Sequence, residues 1–428
     1  MAKLMDLSST TLGEKQRDSS WDFASADTKE FTHCFHSYPA MMIPQVARKL
    51  LKLYGKESTT LVDPFMGSGS VLVEGAIHPT ISKMYGLDIN PLTMLIANVK
   101  VTPIKPEKLE AEFASLMENV KSKKNLDLGF YNLNNINFWF KQNVISDLSK
   151  LKSAIDEIEN KNIKNFFLTC FSQTTRKVSN TRQGEFKLYR IEEKKLEEHA
   201  PNVFGIFEAI VSKNIKGMTA YYSNIKLLDK DIKVNTFKED SRLKTSIPSD
   251  SCDILVTSPP YGDSRTTVAY GQFSRLSSQL LGYPYEEIRK VDQLGLGGKP
   301  IPINDSLQSD HLKESLDKIS AIDNLRALDV FSFYYDFDKC IDEINRIMKT
   351  GAYLCFVVGN RTVKGIQIPT DDIITELFVA RGNYEHIKTY IRKIPNKKMP
   401  KANSPTNVKG QTSSTMNEEY IVILKKSV

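Results

Sequence analysis

The stretch Asp63-Pro-Phe-Met-Gly-Ser-Gly-Ser70 limits what this chain can fold into more than any other. It follows a β-rich run at residues 59–63 that stops at Pro64. It precedes residues 71–76, which read as a helix. Gly67 and Gly69 let the backbone take positive φ and pass close to a ligand, and the helix behind them offers unpaired N–H groups. A second short strand at 84–89 and a helix through 94–98 continue the rhythm. Strand, glycine turn, helix, strand, helix is the opening of an α/β doubly wound, Rossmann-like sheet.

The loop's residues also select its ligand. No Lys follows the glycines, so it is not a G-x-x-x-x-G-K-[ST] phosphate loop, and Leu72 stands where G-x-G-x-x-G needs its third glycine. Asp63 at the strand end repels a pyrophosphate and accepts hydrogen bonds from an ammonium group. Asp88, about 20 residues past the glycines, occupies the position from which an acid bonds ribose hydroxyls. An ammonium site beside a ribose site suggests S-adenosylmethionine. The plainer alternative makes the first motif a strand-ending turn and Asp88 a helix N-cap.

Composition narrows the setting. The chain has 428 residues, 58 Lys and Arg against 51 Asp and Glu, and a formal charge of +7, which suits an anionic partner without identifying one. No run approaches the ~18 apolar residues of a membrane span, and the polar N-terminus lacks the apolar segment of a secretory signal. Five scattered cysteines without a C-x-x-C pair predict a reduced, cytoplasmic protein with no structural metal.

Along the chain, residues 1–30 read as an N-terminal arm and 31–104 as the cofactor half of the catalytic domain. Lys/Glu/Leu-rich helices then interrupt the rhythm over 105–231, a helical insertion and candidate target-recognition region. The rhythm resumes at 232–262, where a buried-type strand, 252–258, runs into two prolines. A loop and helix excursion covers 263–329, and 330–428 completes the catalytic domain with a helix at 337–348 and strands at 352–358, 386–391 and 420–424. Residues 397–414 look like a long mobile loop.

The second motif is Thr257-Ser-Pro-Pro-Tyr261. Pro259 and Pro260 fix φ and remove two backbone donors, which leaves carbonyls to act as acceptors; Ser258 adds a hydroxyl and Tyr261 a flat ring. Such a site suits an exocyclic amino group with its base stacked on the tyrosine, and it also reads as a rigid turn with a core tyrosine. D-P-F-x-G-S-G, then G-L-D-I-N-P, then T-S-P-P-Y resembles the bacterial DNA amino-methyltransferases of restriction–modification systems, which methylate N4 of cytosine or N6 of adenine. The resemblance covers roughly residues 30–105 and 235–261.

It implies that Asp63, Phe65, Gly67 and Gly69 form the methionine-side pocket, with Tyr38 and Pro39 packing over it. It makes Asp88 the ribose acceptor, puts Asp240 near the adenine, and makes Ser258, Pro259, Pro260 and Tyr261 the site of the extruded base. A serine ahead of P-P-Y is associated in this family mostly with cytosine N4. The order of the motifs departs from most N4-cytosine enzymes, which carry P-P-Y first, although both motifs still meet at the carboxyl edge of one sheet.

The chemistry follows from the residues alone. An amino group whose lone pair is delocalised into a ring becomes a better nucleophile when Ser258 and a proline carbonyl hydrogen-bond its protons. Direct in-line transfer then requires alignment and no covalent intermediate. A 5-methylcytosine route needs a thiolate placed after a proline, and no cysteine here follows one. The target atom lies inside a duplex, so the base must be flipped, with Tyr261 as its stacking platform.

Two segments are candidates for reading DNA. Residues 174–190 concentrate Arg176, Lys177, Arg182, Lys187 and Arg190 among Asn, Gln and Ser, and residues 262–300 carry Arg265 and Arg275 close after the motif. His33, His36 and His78 read as packing or surface residues. The expectation is an S-adenosylmethionine-dependent enzyme acting on double-stranded DNA at cytosine N4, as one half of a pair with a restriction endonuclease. N6-adenine methylation, an RNA guanine-N2 methyltransferase and a catalytically silent DNA-binding protein are the rivals.

Overall fold

The computed structural model describes residues 13–56, 58–123, 130, 133–263, 266–395, 402–403, 413–414 and 416–427. Twelve strands are described: β1 (Lys15–Arg17), β2 (Thr60–Asp63), β3 (Lys83–Leu87), β4 (Lys233–Phe237), β5 (Cys252–Thr257), β6 (Met348–Val358), β7 (Thr362–Val363), β8 (Ile366–Gln367), β9 (Tyr384–Lys393), β10 (Ala402–Asn403), β11 (Ser413–Ser414) and β12 (Glu418–Lys426). Eight of them form one sheet in the order β1-β9-β12-β6-β5-β2-β3-β4, and β7–β8 and β10–β11 are separate two-stranded ribbons. The five strands from β6 through β4 run parallel, whereas β12 is antiparallel to both β6 and β9. This is a doubly wound sheet whose order reverses at β2, between β3 on one side and β5 on the other. The crevice beyond the carboxyl ends of β2 and β5 is therefore where a ligand belongs.

Strand alternation divides the core between the sheet's two faces. Leu61, Met84, Ile254 and Val256 belong to a cluster on one face, and Val62, Leu87 and Leu255 belong to a cluster on the other. The first cluster runs without a break into the inserted helices, through Leu109, Leu148, Phe166 and Phe207.

The N-terminal segment departs from the expected arm. Residues 1–12 lie outside the described residues, but β1 pairs in parallel with β9, and Trp21 is fully buried against Tyr390. Three residues of strand gave too short a pattern to read. The long helix Asn324–Ile347 also begins well before the expected residue 337, because the Asp323 side chain accepts the Arg326 N–H and caps it there. Of the expected loop at 397–414, only β10 and β11 are described, and they pair with each other.

Candidate active site

Gly67 and Gly69 have φ of +48° and +76°, the left-handed region open mainly to glycine. A Cβ on Gly69 would lie 2.9 Å from Ala97 Cβ, so the loop sits directly on the helix Pro91–Val101. The Gly67 N–H donates to Asp88 Oδ2 at 3.0 Å, and Asp88 Oδ1 accepts the Asn90 N–H at 2.8 Å. The cap of the second helix is Asn90, not Asp88: its side chain accepts the Leu92 N–H and gives its own amide protons to Tyr38 Oη and Ser274 Oγ. Beneath the loop, the fully buried Lys100 donates to Ser68 O at 2.9 Å.

These residues wall a cavity of about 990 Å³, counting space open to solvent, at the carboxyl edge of β2 and β5. Tyr38, Pro39, Asp63, Phe65, Gly67, Asp88, Asp240, Ser258 and Pro260 all line it. Gly69 lies behind the wall as the N-cap of the helix Ser70–Ile77. Pro259 and Tyr261 stand beside the cavity and not in its lining. Sequence reading passed over Asn90, Glu239 and Ser241, which also line it, whereas Asp292 and residues 294–296 in the lining belong to the segment 262–300 that sequence reading sets beside the P-P-Y motif. Asn90 had a readable signal, since Asn before Pro91 is an N-cap pattern.

The electrostatics of the lining select the ligand. Five carboxyl groups, those of Asp63, Asp88, Glu239, Asp240 and Asp292, face the cavity, and no Lys, Arg or His is in its lining among the described residues. Asp63 is only 2% exposed; its Oδ1 accepts the Thr257 hydroxyl at 2.6 Å and the Phe65 N–H at 3.1 Å. Burial, with the Asp88 charge adding to it, raises the Asp63 carboxyl to about 7. Asp88 is raised to about 6, again by burial, against the pull of the N–H groups of Asn90 and Gly67. A cavity of this kind disfavours phosphates and favours a cation that carries hydrogen-bond donors. S-adenosylmethionine, with a sulfonium and an ammonium and no phosphate, fits that chemistry. Asp240 is held in bidentate contact by Arg242, which also pairs with Asp336 at 2.8 Å and donates to Leu294 O.

The sequence matches, over residues 44–274, the family described as D12 class N6 adenine-specific DNA methyltransferase, more than half of the chain. It is also 44% identical over 427 residues to the type II methyltransferase M.MvaI of Kocuria varians, spanning 95% of this chain and 93% of that one. The chain belongs to the DNA methyltransferases of restriction–modification systems. As a member of that family it uses S-adenosylmethionine as methyl donor. A shorter likeness, 32% over 112 residues, connects this methyltransferase to the type II methyltransferase M.MjaII of Methanocaldococcus jannaschii, covering 25% of this chain and 21% of that one. The solved rRNA methyltransferase aviRa of Streptomyces viridochromogenes aligns over 91% of this chain and 88% of that one at 10% identity, with a TM-score of 0.33.

The methyltransferase's basic residues divide by burial. Arg176 is 7% exposed; its guanidinium lies 3.8 Å from the centre of the Phe273 ring and donates to the carbonyls of Phe273 and Glu185. Burial also lowers it to about 10. The expectation that it contacts DNA is therefore corrected, since it clamps two segments together from inside. The charges of Lys187 and Arg275 bear on Asp292 in the cavity wall. Arg190 lies over the Phe138 ring at 4.4 Å and donates to Phe138 O. Lys177 and Arg182 are exposed, and Arg182 pairs loosely with Glu185 at 3.3 Å. Arg265 lies outside the described residues. His36 is interior, bonded to Ser172 Oγ and Ser37 O, and its burial lowers it to about 3. None of the described helices is long and apolar enough to cross a membrane, and no cluster of metal-ligating side chains is present among the described residues.

Proposed function

We propose that the protein methylates the exocyclic N4 of a cytosine flipped out of double-stranded DNA, in partnership with a restriction endonuclease of the same recognition sequence. The observation that carries the reading is the state of Ser258. Its hydroxyl donates to Val357 O at 2.9 Å, so what it offers a substrate is an oxygen lone pair. A lone pair at the cavity wall is what an amino N–H seeks, and a serine in this position of the P-P-Y motif is associated mostly with cytosine.

When bound, S-adenosylmethionine supplies an electrophilic methyl group. The chain's own part is alignment and electrostatics. The acid-lined cavity orients a cationic donor, Ser258 hydrogen-bonds the amino group and so draws lone-pair density back onto its nitrogen, and Tyr261 stands beside them as a stacking surface for the extruded base. The exposed Lys177 and Arg182 are the described candidates for DNA phosphate contact.

The match to a family described as N6 adenine-specific favours a second reading, in which the same acceptor receives the amino group of adenine. Unmethylated DNA incubated with the purified protein and isotope-labelled cofactor, then digested and analysed by nucleoside mass spectrometry, separates the two. Labelled N4-methylcytosine is expected. Labelled N6-methyladenine would overturn the choice of base, and the absence of any labelled base would overturn the reading itself.

A further inference from the structure

Tyr261 is tied to the far side of the sheet. Its hydroxyl donates to Glu419 Oε1, on β12, at 3.1 Å. Glu419 is the cross-strand partner of Arg392 on β9 and is ion-paired with it. Arg392 is only 3% exposed, and its other donors are held by carbonyls of the N-terminal segment, Nε by Trp21 O at 2.8 Å and Nη2 by Asp22 O at 3.2 Å. A carboxylate fixed in this way accepts hydrogen bonds and has no proton to return.

The consequence falls on Ser258. Its Oγ lies 3.3 Å from the Tyr261 hydroxyl, close enough for that phenolic proton to turn onto it. Each hydroxyl instead has its own acceptor, Val357 O for Ser258 and Glu419 for Tyr261. The Ser258 lone pair that a free Tyr261 would fill is left open.

We propose that Glu419 is a positioning residue for methyl transfer: by holding the Tyr261 proton, it keeps the Ser258 oxygen available to accept the hydrogen bond of the target amino group. Arg392, anchored by residues 21 and 22, holds Glu419 in the required state. This rests on the reading that Ser258 receives that amino group. The Tyr261 ring itself does not depend on its hydroxyl for its place, since it packs against the bare backbone of Gly359, where a Cβ would lie 2.9 Å from Tyr261 Cδ2.

The test is Glu419→Gln, alone and combined with Tyr261→Phe, assayed for kcat and for KM of cofactor and DNA. Arg392 has only donors and takes the glutamine oxygen, which turns the amide nitrogen, itself a donor, toward Tyr261 and frees the phenolic proton to compete for Ser258, so kcat falls by about 10-fold or more while the KM for cofactor holds. Removing the phenolic proton rescues it: the double variant turns over as fast as Tyr261→Phe alone, and faster than Glu419→Gln. A kcat for Glu419→Gln equal to wild type, or a double variant no faster than Glu419→Gln, would overturn the proposal. Tyr261→Phe on its own is the reference against which the double variant is read, and a loss of about 100-fold in it would overturn the proposal by showing that the hydroxyl acts directly. Failure of the underlying reading appears separately, as undiminished turnover in Ser258→Ala.

Discussion

Replacing Asp63 with Asn sets stability against cofactor binding, and the size of the effect can be worked out beforehand. The asparagine oxygen can accept both hydrogen bonds that Asp63 Oδ1 now accepts, from Thr257 and Phe65, so the change is mainly one of charge. The folded carboxyl titrates at about 7, against an ordinary value of about 3.9 in the unfolded chain. Because the folded state holds the proton more tightly, wild-type stability is lost as pH rises from about 4 to about 7. At ~1.36 kcal/mol per pH unit, the cost of the carboxylate is about 1.5 kcal/mol at pH 5 and about 4 kcal/mol at pH 8. The uncharged amide of Asp63→Asn carries no such slope, so the stability of the variant relative to wild type improves by ~2–3 kcal/mol between those pH values. For a chain of 428 residues this is a relative gain in Tm of about 3 °C. Thermal melts of both ligand-free proteins at pH 5 and 8, with calorimetric titration of S-adenosylmethionine at pH 8, read both halves. The variant should gain relative Tm with pH and bind cofactor about 10-fold or more weakly. A constant difference in Tm between the two pH values would refute the burial argument, and unchanged affinity would remove Asp63 from the cofactor site.

Gly69→Ala forces a side chain into the left-handed region and onto Ala97, at 2.9 Å. It should cost ~2–4 kcal/mol in a denaturant titration and weaken cofactor binding in the same preparation. Arg176→Ala strips the Phe273 and Glu185 carbonyls of their donor, lowering stability by ~1–3 kcal/mol with DNA affinity at fixed salt unchanged. Lys177→Ala with Arg182→Ala should do the reverse: normal melting, weaker DNA binding, and a salt dependence flattened by ~0.9 for each phosphate no longer neutralised, measured by fluorescence anisotropy across a salt series.

What could be read from the sequence depended on the range over which each feature is determined. The glycine loop, Asp63, Asp88 and the P-P-Y motif are local: turn chemistry and strand ends fix them within a few residues, and the structure gathers them at one sheet edge. Glu419 stands 158 residues from the tyrosine it binds, and only the antiparallel pairing of β12 with its neighbours brings it there. Arg176 misled for a different reason. Its helix, Lys161–Val178, buries a face that includes Thr169, Ser172, Gln173, Thr174 and Thr175, so a polar, basic stretch looked like surface while lying inside. β1 escaped notice because three residues carry no period, and its place is set by the edge of β9.

The unbroken cluster beneath the sheet bears on how the inserted helices can change. Phe166, Phe207 and Leu148 share one interior with Val71, Ala97 and Leu61, so the helices of residues 105–231 cannot be lifted out and exchanged as a cassette. A graft would expose the helices that carry the cofactor loop and leave voids costing several kcal/mol for each large side chain removed. Change in these helices is then expected to come through substitutions at solvent-facing positions, while the interior framework is inherited whole.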